Sequence, residues 1–171
     1  MNVAAEIRRV AKLTGTFRLR SGATSDTYFD KYQFEAYPEL LRAVAELMIP
    51  LVPSGTQVLA GLEMGGIPIA TMLSQVTGIP TAFIRKEAKT YGTCRYAEGP
   101  TLSGKAIVLV EDVVSTGGAI LDALKKLRSD HVNADVALCV IDRETGGREL
   151  LANEGVQLRE LYRMRDIESA A

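Results

Sequence analysis

The stretch Ala106-Ile107-Val108-Leu109-Val110-Glu111-Asp112-Val113-Val114-Ser115-Thr116-Gly117-Gly118-Ala119-Ile120 decides how the rest of the chain is read. It opens on five apolar, mostly β-branched residues, the pattern of a central parallel strand covered on both faces. Gly117-Gly118 ahead of Ile120, Leu121, Leu124 and Leu127 marks entry into an amphipathic helix. A helix N-terminus offers free N–H groups and partial positive charge, and Ser115 and Thr116 add hydroxyls, so Val113 to Ala119 make a phosphate cradle. Glu111 and Asp112 would repel the phosphate itself. They accept hydrogen bonds from hydroxyls or reach a cation. A ligand with a phosphate at one end and a sugar diol beside it satisfies both halves.

The 171 residues, 47% hydrophobic and 24% charged, fit one globular domain with a proper core. A net charge of −1 gives no global field for nucleic acid or a membrane surface, so an anion site needs locally clustered bases. Cys94 and Cys139 form no CxxC pattern, which argues against a zinc site or a disulfide framework and fits a reducing cytoplasm. The sequence has neither a basic start followed by an apolar core nor a long apolar run, so a soluble, cytoplasmic protein is expected.

Outward from the central stretch, the pattern repeats strand and helix. Gln57 to Gly61 reads as a strand, Leu62-Glu63-Met64-Gly65-Gly66 as a glycine loop and Ile67 to Val76 as a helix. Thr81 to Ile84 and Asp135 to Ile141 are further strands, with a helix over 117–128 between the last two and a final strand near Val156 to Leu161. Before this series come a helix over 3–13, a hairpin pairing Thr16–Arg20 with Thr27–Asp30, and a helix from Pro38. The fold class is α/β, a central mainly parallel sheet flanked by helices, in a single domain 1–171 with a small N-terminal hood (about 1–35) and a core (about 36–165). The last residues read as frayed, and His131 as a solvent-facing connector.

Two sets of bases stand at strand ends. Arg85 to Gly99 has Arg85, Lys86, Lys89 and Arg95, two glycines and little apolar periodicity, which reads as an exposed mobile loop. Arg143 follows the strand ending at Ile141, where a guanidinium can grip a carboxylate bidentately. Gly99-Pro100-Thr101-Leu102-Ser103-Gly104-Lys105-Ala106 imitates a P-loop, but Ala106 replaces the magnesium-holding hydroxyl and the segment precedes a strand where a P-loop opens a helix. No GxGxxG is present.

Val108 to Gly118 closely resembles the 5-phosphoribosyl 1-diphosphate (PRPP) signature of the type I phosphoribosyltransferases. Arg85-Lys86-Glu87-Ala88-Lys89 resembles the start of the catalytic loop of orotate phosphoribosyltransferases, and Asp142-Arg143-Glu144-Thr145-Gly146-Gly147 resembles their D-R-x-x-G-G pattern. Ser21-Gly22 with Ser25-Asp26-Thr27-Tyr28-Phe29-Asp30 is similar to their hood segment, with Asp26 in place of a frequent proline and Arg20 where some members have lysine. The resemblance spans about residues 15–147.

The resemblance implies transfer of ribose 5-phosphate from PRPP to orotate in pyrimidine (UMP) synthesis, by a homodimer whose loops serve the neighbouring subunit's site. It implies Lys89 and Asp112 as catalytic residues. Arg85, Lys86, Lys89, Glu111, Asp112, Val113, Val114, Ser115, Thr116, Gly117, Gly118 and Ala119 would hold PRPP. Ser115, Arg143, Tyr28 and Phe29 would hold orotate. Magnesium would arrive with PRPP, without a dedicated protein cage. Two departures stand out: Gly65 where the family's glycine loop often has lysine, and Tyr91 where a histidine is common. The alternatives left open are a purine or uracil phosphoribosyltransferase and a PRPP-sensing regulator of nucleic acid.

Overall fold

The computed structural model describes residues 1–18, 22–92 and 95–171. Arg20 and Ser21 of the expected hood turn, and Cys94 of the basic loop, lie outside the described residues. Strands β3 (Val58–Leu62), β4 (Thr81–Ile84), β5 (Ala97–Glu98), β6 (Ile107–Val114), β7 (Val136–Asp142) and β8 (Gln157–Arg163) form one sheet in the order β5-β4-β3-β6-β7-β8. All neighbours run parallel except β5, which turns back antiparallel on β4. β6 is central and nearly all buried, as its apolar run dictates, and it continues through both carboxylates to Val114.

Alternation along β6 divides the core. Val108 and Val110 pack with Leu59, Leu138 and Val140 against α1 (Val3–Ala11), α3 (Pro38–Met48) and α4 (Gly66–Thr77). On the opposite face, Leu109 joins Ala60, Ala137 and Cys139 against Ile120, Leu124 and Leu127 of α5 (Gly118–Ser129) and Leu151 of α6 (Gly147–Asn153). Each layer removes a continuous apolar surface from water, the main favourable term in folding.

The hood is a separate two-stranded sheet, β1 (Lys12–Arg18) with β2 (Thr24–Phe29). Its first strand starts earlier than the sequence pattern predicts. The leading helix ends at Ala11, because Lys12 turns extended (φ −83°, ψ 104°) while its N–H still closes on Arg8 O. Three short helices escaped the periodicity: α2 (Tyr32–Ala36), α6 and α7 (Met164–Ser169). α7 corrects the expectation of a frayed C-terminus. Ile167 is buried, the Arg163 N–H donates to Asp166 Oδ2 at 2.8 Å, and Arg8 Nη1 donates to Ala170 O at 2.7 Å. No helix among the described residues is long and apolar enough to cross a membrane. His131 is exposed in the connection between α5 and β7, as expected.

Candidate active site

The C-terminal ends of β3, β4, β6 and β7 converge on one side of the sheet, where open α/β sheets place ligands. A cleft of about 680 Å³ lies there, lined by Glu63 and Met64 of the glycine loop, Arg85 and Lys86, Glu111, and Thr116, Gly118 and Ala119 of the turn into α5. The turn is held by close backbone packing. Gly117 takes φ 78°, open to glycine at little steric cost, and a Cβ on Gly147 would meet Ser115 O at 2.4 Å. The root of the basic loop is fastened to the same cleft. The Lys86 N–H donates to Glu63 Oε2 at 2.8 Å, and Lys126 Nζ donates to Arg85 O at 3.2 Å.

A second cavity, about 550 Å³, is lined by Ser25, Tyr28, Phe29 and Arg143, with Arg8 and Lys12 beside them. Arg8, Lys12 and Arg143, against the single carboxylate of Glu168, thus line one small space whose walls include two aromatic rings. Backbone links this cavity to the strand end before the turn into α5, since the Arg143 N–H donates to Val114 O at 2.8 Å. Tyr28 is 45% exposed and 5.5 Å from the Phe17 ring, whereas Phe29 packs partly into the core. The expected residues therefore divide between two cavities, one of mixed charge, with Lys31, Arg85, Lys86 and Lys126 set against Glu63, Glu111 and Asp122, the other mainly basic and aromatic. Val113, Val114, Ser115 and Gly117 line neither; they supply the strand end and backbone of the turn between them.

Lys89 stands apart from both cavities. Its ammonium pairs with Glu98 on β5, the return strand of its own loop, and Arg85 Nη1 lies 4.0 Å from the same carboxylate. That pairing, led by the hydrogen bond from Lys89, holds Glu98 below the usual carboxylate range. Tyr91, farther out on the loop, is 72% exposed.

Two residues that sequence reading missed stand at the first cleft, Lys31 on its lining and Glu35 buried nearby. Lys31 Nζ lies 2.9 Å from Asp112 Oδ1 and 2.8 Å from Oδ2, and Asp112 is fully buried. Glu35, one turn along on α2, is buried beside the same carboxylate. The Asp112 Oδ1 also accepts the Val113 N–H at 2.5 Å, and the Asp112 N–H donates to Glu111 Oε1 at 3.1 Å. Burial, then the neighbouring Asp112, pushes Glu35 up to about 9, and the same two causes in the same order raise Glu111 well above the carboxylate range. Burial would raise Asp112 too, but hydrogen bonding with Glu111 and the Lys31 charge outweigh it, and Asp112 ends below its usual value. Asp112 is the ionised member of the cluster. No local pattern could have announced this, because Lys31 and Asp112 are 81 positions apart.

A phosphoribosyl transferase domain model matches residues 31–153. The chain is 49% identical over 168 residues to an orotate phosphoribosyltransferase of a Nocardioides species, covering 98% of this chain and 94% of that protein. The chain belongs to the orotate phosphoribosyltransferase family. The fold agrees with the family assignment. An orotate phosphoribosyltransferase structure from Mycobacterium tuberculosis superposes with a TM-score of 0.88 at 28% identity over 96% of each chain. A second structure of that enzyme, in complex with PRPP, superposes with a TM-score of 0.83 at 25% identity over 97% of this chain and 96% of that one.

Proposed function

We propose that this chain transfers ribose 5-phosphate from PRPP to a ring nitrogen of orotate, giving orotidine 5′-monophosphate and diphosphate, the phosphoribosyl step of UMP synthesis. The observation that carries it is the pair of adjoining cavities, one with a phosphate turn beside carboxyls, the other with Arg143 and Lys12 against aromatic walls. A cationic pocket suits a base bearing a carboxylate, which separates orotate from uracil and the purines. The near-zero net charge disfavours the nucleic-acid regulator.

In this reading the turn 113–119 binds the 5′-phosphate through N–H groups and the Ser115 and Thr116 hydroxyls. Glu111, on the cleft wall, and Asp112 behind it accept hydrogen bonds from the ribose diol. Arg85 and Lys86 face the diphosphate, and Arg143, Tyr28, Phe29 and Ser115 address orotate. The transition state has oxocarbenium character, so the protein's contribution is alignment, exclusion of water and neutralisation of the departing diphosphate. Lys89 supplies that last charge to the partner subunit's site in a homodimer, which accounts for its place outside its own cleft. The donor set fits a magnesium ion that comes chelated by PRPP, since Asp112 is already committed to Lys31. Bound there, magnesium offsets diphosphate charge. The cytoplasm is the compartment that fits these features.

The test is PRPP consumption measured base by base. Orotate should react, and uracil, hypoxanthine and adenine should not; turnover of any of these without orotate would sink the assignment.

A further inference from the structure

The machinery assigned above leaves Lys31 and Glu35 without a task, yet Lys31 lines the cleft and Glu35 is buried beside Asp112. Both sit on the short segment that joins the hood to the core, so one piece of chain brings an ammonium and a carboxyl to the same buried carboxylate. Glu35 Oε1 is buried with no hydrogen-bond donor among the described residues, and Asp112 lies next to Glu35. Two ionised carboxylates in contact in a low-dielectric site repel strongly, whereas one shared proton turns the repulsion into a hydrogen bond. Lys31 decides which oxygen pair keeps the charge, because it bridges both oxygens of Asp112, with Glu111 and the Tyr32 ring, 5.3 Å from Nζ, as its other neighbours.

Resting on the phosphoribosyl reading, we propose that Lys31 and Glu35 are positioning residues for the ribose diol, Lys31 as counter-ion and Glu35 as proton-bearing partner of Asp112. Lys31 sits at the tip of a flexible stem, so it can surrender one oxygen to a ribose hydroxyl without leaving the carboxylate. Glu35 fixes the carboxylate from behind while adding no second charge. The groups facing Glu35 are Asp112, Lys31 and Glu111, so its proton is retained until alkaline pH.

Calorimetric titration with PRPP and, separately, with inorganic diphosphate, both with magnesium, tests this. Diphosphate has no diol for Asp112 to hold. Lys31→Met is expected to weaken PRPP about tenfold or more while shifting diphosphate by less than about twofold, and Lys31→Arg to recover most of the loss. Wild-type PRPP affinity should fall as pH rises past about 9, and Glu35→Gln should abolish that fall. Circular dichroism shows whether Lys31→Met has folded; the arginine variant and the wild-type pH series test the idea without it. Equal losses of PRPP and diphosphate would make Lys31 a direct anion contact. Unchanged PRPP affinity, or an alkaline fall persisting in Glu35→Gln, would overturn the positioning role. A wild type that binds no PRPP would instead overturn the phosphoribosyl reading and this inference with it.

Discussion

The carboxylate of Asp112 occupies the space that a side chain on residue 65 would need. An ideal Cβ on Gly65 would stand 1.8 Å from Oδ2 and 2.3 Å from Cγ. The glycine loop and the ionised carboxylate are therefore mutually exclusive with any larger residue there. Gly65→Ala should push Asp112 off Lys31, costing about 1–3 kcal/mol as overpacking does and raising KM for PRPP more than KM for orotate. Thermal denaturation and initial rates check both halves; a variant with wild-type stability and PRPP kinetics would show that Asp112 has room to move.

Lys89→Ala should lower kcat by about two to three orders of magnitude, with orotidine 5′-monophosphate affinity nearly intact, if its charge answers, as proposed, the one that develops on diphosphate. Its present partner is Glu98 in a half-buried ion pair within its own loop, which Lys89 must leave to reach a ligand. Equal losses in turnover and product affinity would make Lys89 a general anchor.

For Arg143→Gln, KM for orotate should rise about tenfold or more while KM for PRPP changes little, since the guanidinium lines the aromatic cavity and not the phosphate cleft. Steady-state kinetics with each substrate varied in turn decides it. A rise confined to PRPP would move Arg143 to the other half of the site.

Mixing inactive Lys89→Ala protein with inactive Asp112→Asn protein should restore activity if loops are exchanged across a two-fold dimer. Random reassembly makes about half of the dimers mixed, and each of these has one site with neither defect. Confirmed subunit exchange without recovered turnover would mean that each chain closes its loop over its own cleft.

The carboxyl cluster also sets a pH dependence of stability. Glu35, up to about 9, and Glu111, also raised, keep protons in the fold that the unfolded chain has lost above the ordinary glutamate value of 4.5. Unfolding therefore releases protons across this window, and stability falls as pH rises from about 5 towards 9. Asp112 has the opposite sign: its folded value is lowered, so its contribution is present above 3.8 and disappears as pH falls through the folded value. Melting temperature should decline between pH 5 and 9 in the wild type and decline less in Glu35→Gln. Parallel slopes would mean that Glu35 is ionised in the fold.

Much of this was legible in the chain itself. The run Ala106 to Val110 gave away a central strand because a strand buried on both faces must be apolar at every position, and β6 stands inside the sheet accordingly; the order of its neighbours was not legible. The turn at Ser115–Gly118, the basic run at Arg85–Lys89 and Arg143 were visible because each is a local pattern at a strand end. α2 and α7 were not, since five or six residues are too few for helical periodicity to emerge; α7 forms where Ile167 meets the core.

What tertiary structure alone decided is charge. In sequence Glu111 and Asp112 are two adjacent acids of equal standing, and Lys31 and Glu35 are ordinary members of a polar connection. Folding brings three buried carboxyls together beside one partly exposed ammonium, raising Glu35 and Glu111 and lowering Asp112, so that charge is favoured on Asp112. That choice is settled by where Lys31 lands, a contact between residues 81 positions apart and therefore written in no local run of residues.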